Sequence, residues 1–237
     1  SMYLSKDNGQ NWTQVFRAVD GGGYYNQMAV VGFGDAKGGF MTDSGGKSYA
    51  TKDGGMTWEA KSVGFNGART VQFSSKQVGW LVGNDGHLYK STDLGQSWTA
   101  VPTASGVSFS AAYFQTDTLG WSQRNSGAQF AYTKDGAKTW IEMALPSGVV
   151  SMRFGEQSWV AVGNSGGAYV STDSGATWNA TYTGTGSALN AVAFSDAKTV
   201  WAVGGEGTVI KSEDGGSKWA LVKLPGGSGA LRDIKFA

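Results

Sequence analysis

The stretch Gly79-Trp-Leu-Val-Gly-Asn-Asp-Gly-His-Leu-Tyr-Lys-Ser-Thr-Asp-Leu-Gly-Gln-Ser-Trp98 decides the fold. A short apolar run, Gly79 to Gly83, breaks at the turn residues Asn84-Asp85-Gly86, and a second run follows from His87 to Ser91. Upstream, Arg69 to Phe73 alternates like a strand, and downstream Ser97 to Val101 provides a fourth. Strand-like runs separated by Gly, Asn and Asp read as successive hairpins. Between the third and fourth strands stands the pattern Ser91-x-Asp93-x-x-x-x-Trp98.

That pattern, [Ser/Thr]-x-Asp-x-x-x-x-Trp, returns six times, at Ser5-Asp7-Trp12, Thr51-Asp53-Trp58, Ser91-Asp93-Trp98, Thr133-Asp135-Trp140, Ser171-Asp173-Trp178 and Ser212-Asp214-Trp219. Successive Asp residues lie 46, 40, 42, 38 and 41 apart. An interval near 40 is the length of one four-stranded β-propeller blade, the WD40-like repeat architecture. The expected fold is therefore all-β, a single propeller over 1–237 with about six blades of mostly four antiparallel strands.

Full strand sets begin near Gln27, Ala68, Phe109, Val149 and Leu189, giving five blades over about 27–226. Leu231 to Phe236 reads as a first strand with no second strand after it, and Tyr3 to Ser5 as a third strand with nothing before it. Pairing of the two termini in one blade, from 1–17 plus 229–237, is the expected closure.

The repeated motif suits a hairpin turn. Its hydroxyl and carboxylate accept hydrogen bonds from nearby backbone N–H groups, Gly takes a positive φ, and Trp buries a large apolar face. Asp7, Asp53, Asp93, Asp135, Asp173 and Asp214 are accordingly structural. Ala137 stands where the other five copies carry Gly, so the fourth copy is expected to be the most strained or a differently turned one. Six Trp close the motifs, while Trp80, Trp121, Trp159 and Trp201 fall in second strands, so all ten have structural posts.

Composition narrows the function. The 38 Gly suit a fold made of tight turns. A net charge of +1 removes the electrostatic case for nucleic acid or an anionic membrane as main partner. There is no Cys for a disulfide, thiolate metal site or nucleophile. No apolar run approaches the 18 or so residues of a membrane span.

The runs Trp201 to Trp219 and Gly79 to Trp98 resemble the repeat of the photosystem II assembly and stability factor family, a subset of the Asp-box or BNR-repeat propellers. Asp-boxes occur also in sialidases, xyloglucan-cleaving glycosidases and sortilin-type receptors, whereas Gly-Trp-x-Val-Gly with Asp-Gly-Gly points to the assembly factors. The resemblance implies a scaffold that holds a protein segment during assembly, without catalysis or cofactor, in a periplasmic, thylakoid-lumenal or extracellular setting. Photosynthetic members are similar to seven-bladed, arginine-rich rings; this chain offers about six blades and five Arg.

In a propeller the motif turns lie on the face opposite the usual site, so binding residues are sought in the connections between blades and the turns between second and third strands. Arg69 and Arg232 share one repeat position, four before the aromatic of the first strand, where Ala29, Ser110, Val150 and Asn190 stand in other blades. Either strand-end pairing or recognition of a carboxylate-bearing partner accounts for such arginines. The connection Val19 to Asn26 joins three Gly to Tyr24-Tyr25, which suits a binding loop or a mobile loop with one Tyr tucked over the ring. Arg124, His87, Asp85 and Glu206 lie in or beside the second-to-third-strand turns, and His87 has no carboxylate set at metal-ligand spacing.

Two functional classes follow. The first is a monomeric, non-catalytic scaffold using Arg69, Arg232, Asn190, Tyr24, Tyr25, Arg124, His87 and Glu206 to hold a protein segment. The second is a carbohydrate-directed propeller, either a lectin-like module or a sialidase or glycosidase relative. A sialidase needs an arginine triad and a Tyr–Glu pair, and a two-carboxylate glycosidase needs facing acids; the chain supplies only Asp43, Asp85 and Glu206 near a mouth, all at turn positions. Gly46-Lys47-Ser48 ends like a phosphate loop but lacks its leading Gly and a following helix.

Overall fold

The computed structural model describes residues 2–4, 10–17, 27–103, 107–124, 130–224 and 229–236. These residues are all-β apart from two three-residue 3-10 turns, Asn164–Gly166 and Gly205–Gly207. No helix is long and apolar enough to cross a membrane.

Six antiparallel sheets carry the repeats. A two-stranded sheet joins β1 (Met2–Leu4) to β2 (Thr13–Phe16). The first four-stranded meander holds β3 (Met28–Phe33), β4 (Gly39–Asp43), β5 (Ser48–Thr51) and β6 (Glu59–Lys61), and the second β7 (Ala68–Phe73), β8 (Gly79–Gly83), β9 (Leu88–Ser91) and β10 (Thr99–Ala100). The third holds β11 (Phe109–Phe114), β12 (Gly120–Arg124), β13 (Phe130–Thr133) and β14 (Ile141–Met143). The fourth holds β15 (Val149–Phe154), β16 (Trp159–Gly163), β17 (Ala168–Ser171) and β18 (Asn179–Thr181), and the fifth β19 (Leu189–Phe194), β20 (Val200–Gly204), β21 (Val209–Ser212) and β22 (Ala220–Leu221). Each is a simple up-and-down order, the blade of a β-propeller. The five blade starts inferred from the sequence coincide with the starts of β3, β7, β11, β15 and β19 to within a residue.

The sixth blade differs from expectation. Among the described residues Leu231 to Phe236 forms no strand, and β1 and β2 stand as a sheet of two. A first strand needs a neighbour to complete its ladder, and among the described residues none pairs with Leu231 to Phe236. Leu231 still docks on the fifth blade, donating its N–H to Gly204 O at 2.9 Å, while Leu231 and Ile234 pack on Ala191, Val203 and Val209.

The chain divides into two compact units, Ser1–Glu142 and Met143–Ala237. In the first, Phe40, Ala50, Phe65, Ala68, Leu81 and Tyr89 form one core between successive sheets, and Trp80, Val82, Leu88, Phe109, Phe114 and Ala137 another. Trp80 stacks on Phe114 with centroids 3.7 Å apart and planes 4° from parallel. In the second, Val160, Val162, Leu189, Val192, Ala202 and Ile210 do the same work. A blade cannot bury both faces alone, so second strands read as fully buried runs. Of the motif Trp residues, Trp12 departs from this pattern, being 63% exposed.

The motif turns follow their expected chemistry at the five copies described in full. In the second blade Ser91 Oγ donates to Asp93 Oδ1 at 2.8 Å and accepts from Gly95 N at 2.8 Å, while Asp93 accepts from the N–H and hydroxyl of Ser97. Thr51, Thr133, Ser171 and Ser212 repeat the pattern. The copy at Asp7 lies outside the described residues. Ala137 has φ 69°, the unfavourable left-handed region, as its Gly counterparts anticipate. The preceding turn position is left-handed too, and holds Leu94 (φ 60°) and Ser174 (φ 60°) where other copies have Gly.

Candidate functional site

Within each unit the described candidate residues stand at the sheet ends opposite the motif turns, where each second-to-third-strand turn is tied to the connection entering its own blade. Ser44 N donates to Gln27 O, Asn84 N to Gly67 O, Asn164 N to Gly148 O and Gly205 N to Ala188 O, at 2.7–3.1 Å. These backbone bonds fix the rim on which variable side chains stand.

A β-bulge explains where Arg69 and Asn190 sit. In all five four-stranded sheets the pairing register slips across the second residue of the first strand, at Ala29, Arg69, Ser110, Val150 and Asn190. An extra residue there is excused from the ladder and its side chain is re-aimed. The two polar side chains then reach equivalent places. In the first unit Arg69 Nη1 donates to Phe109 O at 3.5 Å and Nη2 to Asn84 O at 3.2 Å; in the second, Asn190 Nδ2 donates to Leu231 O at 2.8 Å. Phe109 and Leu231 occupy the same repeat position, so both bonds latch a bulge to the segment that follows the blade. Arg69 remains exposed, and Arg232, in the equivalent position after the fifth blade, is exposed as well.

In the first unit, Asp85 Oδ2 accepts from Tyr89 Oη at 2.7 Å and lies 3.4 Å from His87 Nδ1, while Oδ1 accepts from His87 N at 3.0 Å. Burial pulls this carboxyl upward, but the Tyr89 and His87 hydrogen bonds outweigh it and hold it below its ordinary value. Burial and the same hydrogen bond push the Tyr89 phenol up to about 12. Asp43 plays the matching part in the first blade: it is buried and accepts from Tyr49 Oη at 3.2 Å and from the N–H groups of Gly45 and Lys47. Asp43 is thus a structural carboxylate and not the solvated turn residue its position suggests. The recurrence of Tyr at 49, 89 and 169 was the available signal.

Arg124 is drawn away from any ligand. It ends β12 and its Nη1 lies 2.8 Å from Glu142 Oε1 on β14, two strands across, with only 21% of its side chain exposed. No periodicity in the sequence marks that pair.

In the second unit Glu206 holds a left-handed conformation (φ 55°) and its Oε2 accepts from Ser187 Oγ at 2.9 Å. With Gly186, Ser187, Ala188 and Gly205 it lines an open hollow of about 480 Å³. Ser165 takes the same left-handed position in the fourth blade. Non-Gly residues there carry a cost of about 1 kcal/mol or more.

Tyr24 and Tyr25 lie outside the described residues. Among those described, no three His, Asp or Glu side chains group as metal ligands.

Comparison with known proteins follows the same line. The family model of sortilin, neurotensin receptor 3 (Sortilin-Vps10) matches residues 1–105. The photosystem II assembly lipoprotein Ycf48 of Synechococcus sp. (strain CC9902) is 27% identical over 219 residues, 91% of this chain and 54% of that protein. The chain therefore spans about half the length of this curated relative. Among solved structures, YCF48 bound to D1 peptide superposes with a TM-score of 0.75 at 18% identity, covering 94% of this chain and 76% of that one. The GH74 xyloglucanase from Xanthomonas campestris gives 0.67 at 17% identity, covering 94% of this chain and 42% of that one. At these identities the structures show the fold alone. The chain thus has a β-propeller fold with repeated Asp-box-like motifs and is similar in sequence to photosystem II assembly factors.

Proposed function

We propose that this chain is a non-catalytic binding scaffold that holds an extended protein segment, and that 1–237 acts as one propeller domain. The observation that carries the reading is the alignment of 91% of the chain with an assembly lipoprotein whose structural counterpart was solved with a D1 peptide. A periplasmic or lumenal setting and a monomeric state accord with it.

The geometry supports a binding role in each unit. Arg69 offers an exposed guanidinium ordered by two backbone carbonyls, a cation suited to a carboxylate-bearing partner at reduced entropic cost. Arg232 offers a second exposed guanidinium, and Glu206 with Ser187 an acceptor and a hydroxyl for peptide N–H and C=O groups. Catalysis is less well supported. Asp43 and Asp85, which a two-carboxylate glycosidase would need, are each committed to a Tyr hydroxyl and backbone N–H groups.

Carbohydrate binding or hydrolysis is the competing reading, favoured by the xyloglucanase fold neighbour. A fluorescent D1-derived peptide titrated against the protein separates the two. Saturable binding weakened about tenfold by Arg69→Ala or Arg232→Ala supports the scaffold. Absence of peptide binding together with xyloglucan hydrolysis lost in Glu206→Gln overturns it.

A further inference from the structure

A hollow away from the candidate site has no part in that reading. It lies in the first unit, along the outer strand β10 and against the motif turn of the third blade, with a volume of about 510 Å³. That falls within the roughly 300–1,000 Å³ of small-molecule pockets. Lys90 and Lys138 line it, with Thr99 on one wall and Val101 and Pro102 supplying apolar surface.

We propose that this hollow binds a small amphiphilic carboxylate, its anionic head between Lys90 and Lys138 and its apolar body on Val101 and Pro102. Charge is the first argument. Among the described residues neither lysine takes part in an ion pair, and Lys90 instead holds its ammonium 4.6 Å from the centroid of the Trp80 ring. The contact orders the lysine while leaving its N–H donors available. The neighbouring carboxylates are already hydrogen-bonded: Asp93 by Ser91 and Ser97 and Asp135 by Thr133 and Thr139 within their own turns, and Asp117 by Ser74 and Ser75 of the preceding blade.

The fifth blade supplies an internal contrast. An equivalent hollow of about 420 Å³ runs along β22, where Lys211 occupies the Lys90 position and also lies over a Trp, 5.3 Å from the Trp201 centroid. There Glu213 neutralises the lysine at 2.6 Å. Thr92 stands at the Glu213 position in the second blade, so the same architecture keeps its cation open to an external anion. Apolar walls exclude water on one side and strengthen the head-group attraction. A fully polar anion would leave those walls unused.

The test is a titration with 2-naphthoate, followed by amide NMR shifts and calorimetry, beside its neutral twin 2-naphthamide. Expected is one-to-one saturable binding that shifts amides of residues 97–103 and 136–138, about tenfold weaker in Lys90→Gln and in Lys138→Gln. Lys211→Gln should leave the affinity unchanged, and the naphthamide should bind at least tenfold more weakly. Lys138 is exposed, so its variant keeps the fold and preserves the test should Lys90→Gln fail to fold. Failure of naphthoate to saturate in the millimolar range, equal binding by the folded lysine variants, or equal binding of the amide would overturn the proposal.

Discussion

Replacing Ser91 by Ala isolates what the repeated motif contributes to stability. Ser91 is 1% exposed, and its Oγ is the acceptor for the buried Gly95 N–H at 2.8 Å and a donor to Asp93 Oδ1 at 2.8 Å. Alanine leaves the Gly95 donor buried without its partner, which costs about 1–3 kcal/mol. Asp93 keeps its two bonds from Ser97, so its loss is partial. The sum is about 2–3 kcal/mol, and at roughly 2–4 °C per kcal/mol for a chain of this length the melting temperature falls by about 5–10 °C. Ser91→Thr is the control, because Thr51 and Thr133 make the same bonds in the first and third blades. It should cost less than about 1 kcal/mol. Calorimetry and urea unfolding measure both. A Ser91→Ala protein that melts with the parent would refute the claim that the hydroxyl, and not the Trp anchor alone, holds the turn.

Acid unfolding should follow the motif carboxylates. Hydrogen bonds from the side chain and backbone of Thr57, Thr139 and Thr177 hold Asp53, Asp135 and Asp173 at about 2, below their ordinary 3.8. Groups depressed in this way stabilise the fold above the unfolded value and lose that contribution as pH falls towards the folded one. Urea midpoints should stay flat from neutral pH to about 5 and decline between about 4 and 2. Asp173→Asn should flatten the Asp173 share of that decline, and an unchanged pH profile would count against it. Ser174 is exposed at φ 60°, so Ser174→Gly should raise stability by about 0.5–1 kcal/mol once the extra flexibility of unfolded Gly is deducted. Denaturant unfolding that shows a loss would indicate that the serine has a role its backbone does not reveal.

The repeated motif made the blades legible. Period, turn residues and apolar runs all pointed to the same strands, and the inferred blade starts hold because register is fixed by burial on both faces of each sheet. The left-handed Ala137 was legible from its Gly counterparts, while Leu94 and Ser174 were not, because the turn holds two adjacent left-handed positions and the motif marked only the second as a Gly position. The site was legible in position but not in bonding. The shared slot of Arg69 and Asn190 showed in the alignment of repeats; the bulge that aims them is a backbone event without a residue signature. Arg124 looked available until a strand two places away brought Glu142 to it. Long-range pairs of that kind depend on strand stagger, which a linear pattern does not encode.

The proposed function rests on the exposed guanidiniums of Arg69 in the first unit and Arg232 in the second, each taken to contribute to binding a peptide. Anisotropy of a labelled D1-derived peptide, measured with the parent and the Arg69→Ala/Arg232→Ala double variant, tests it most directly. The account predicts saturable, salt-sensitive binding by the parent and a loss of about a hundredfold if the two effects add. Equal affinity of the two proteins would contradict it.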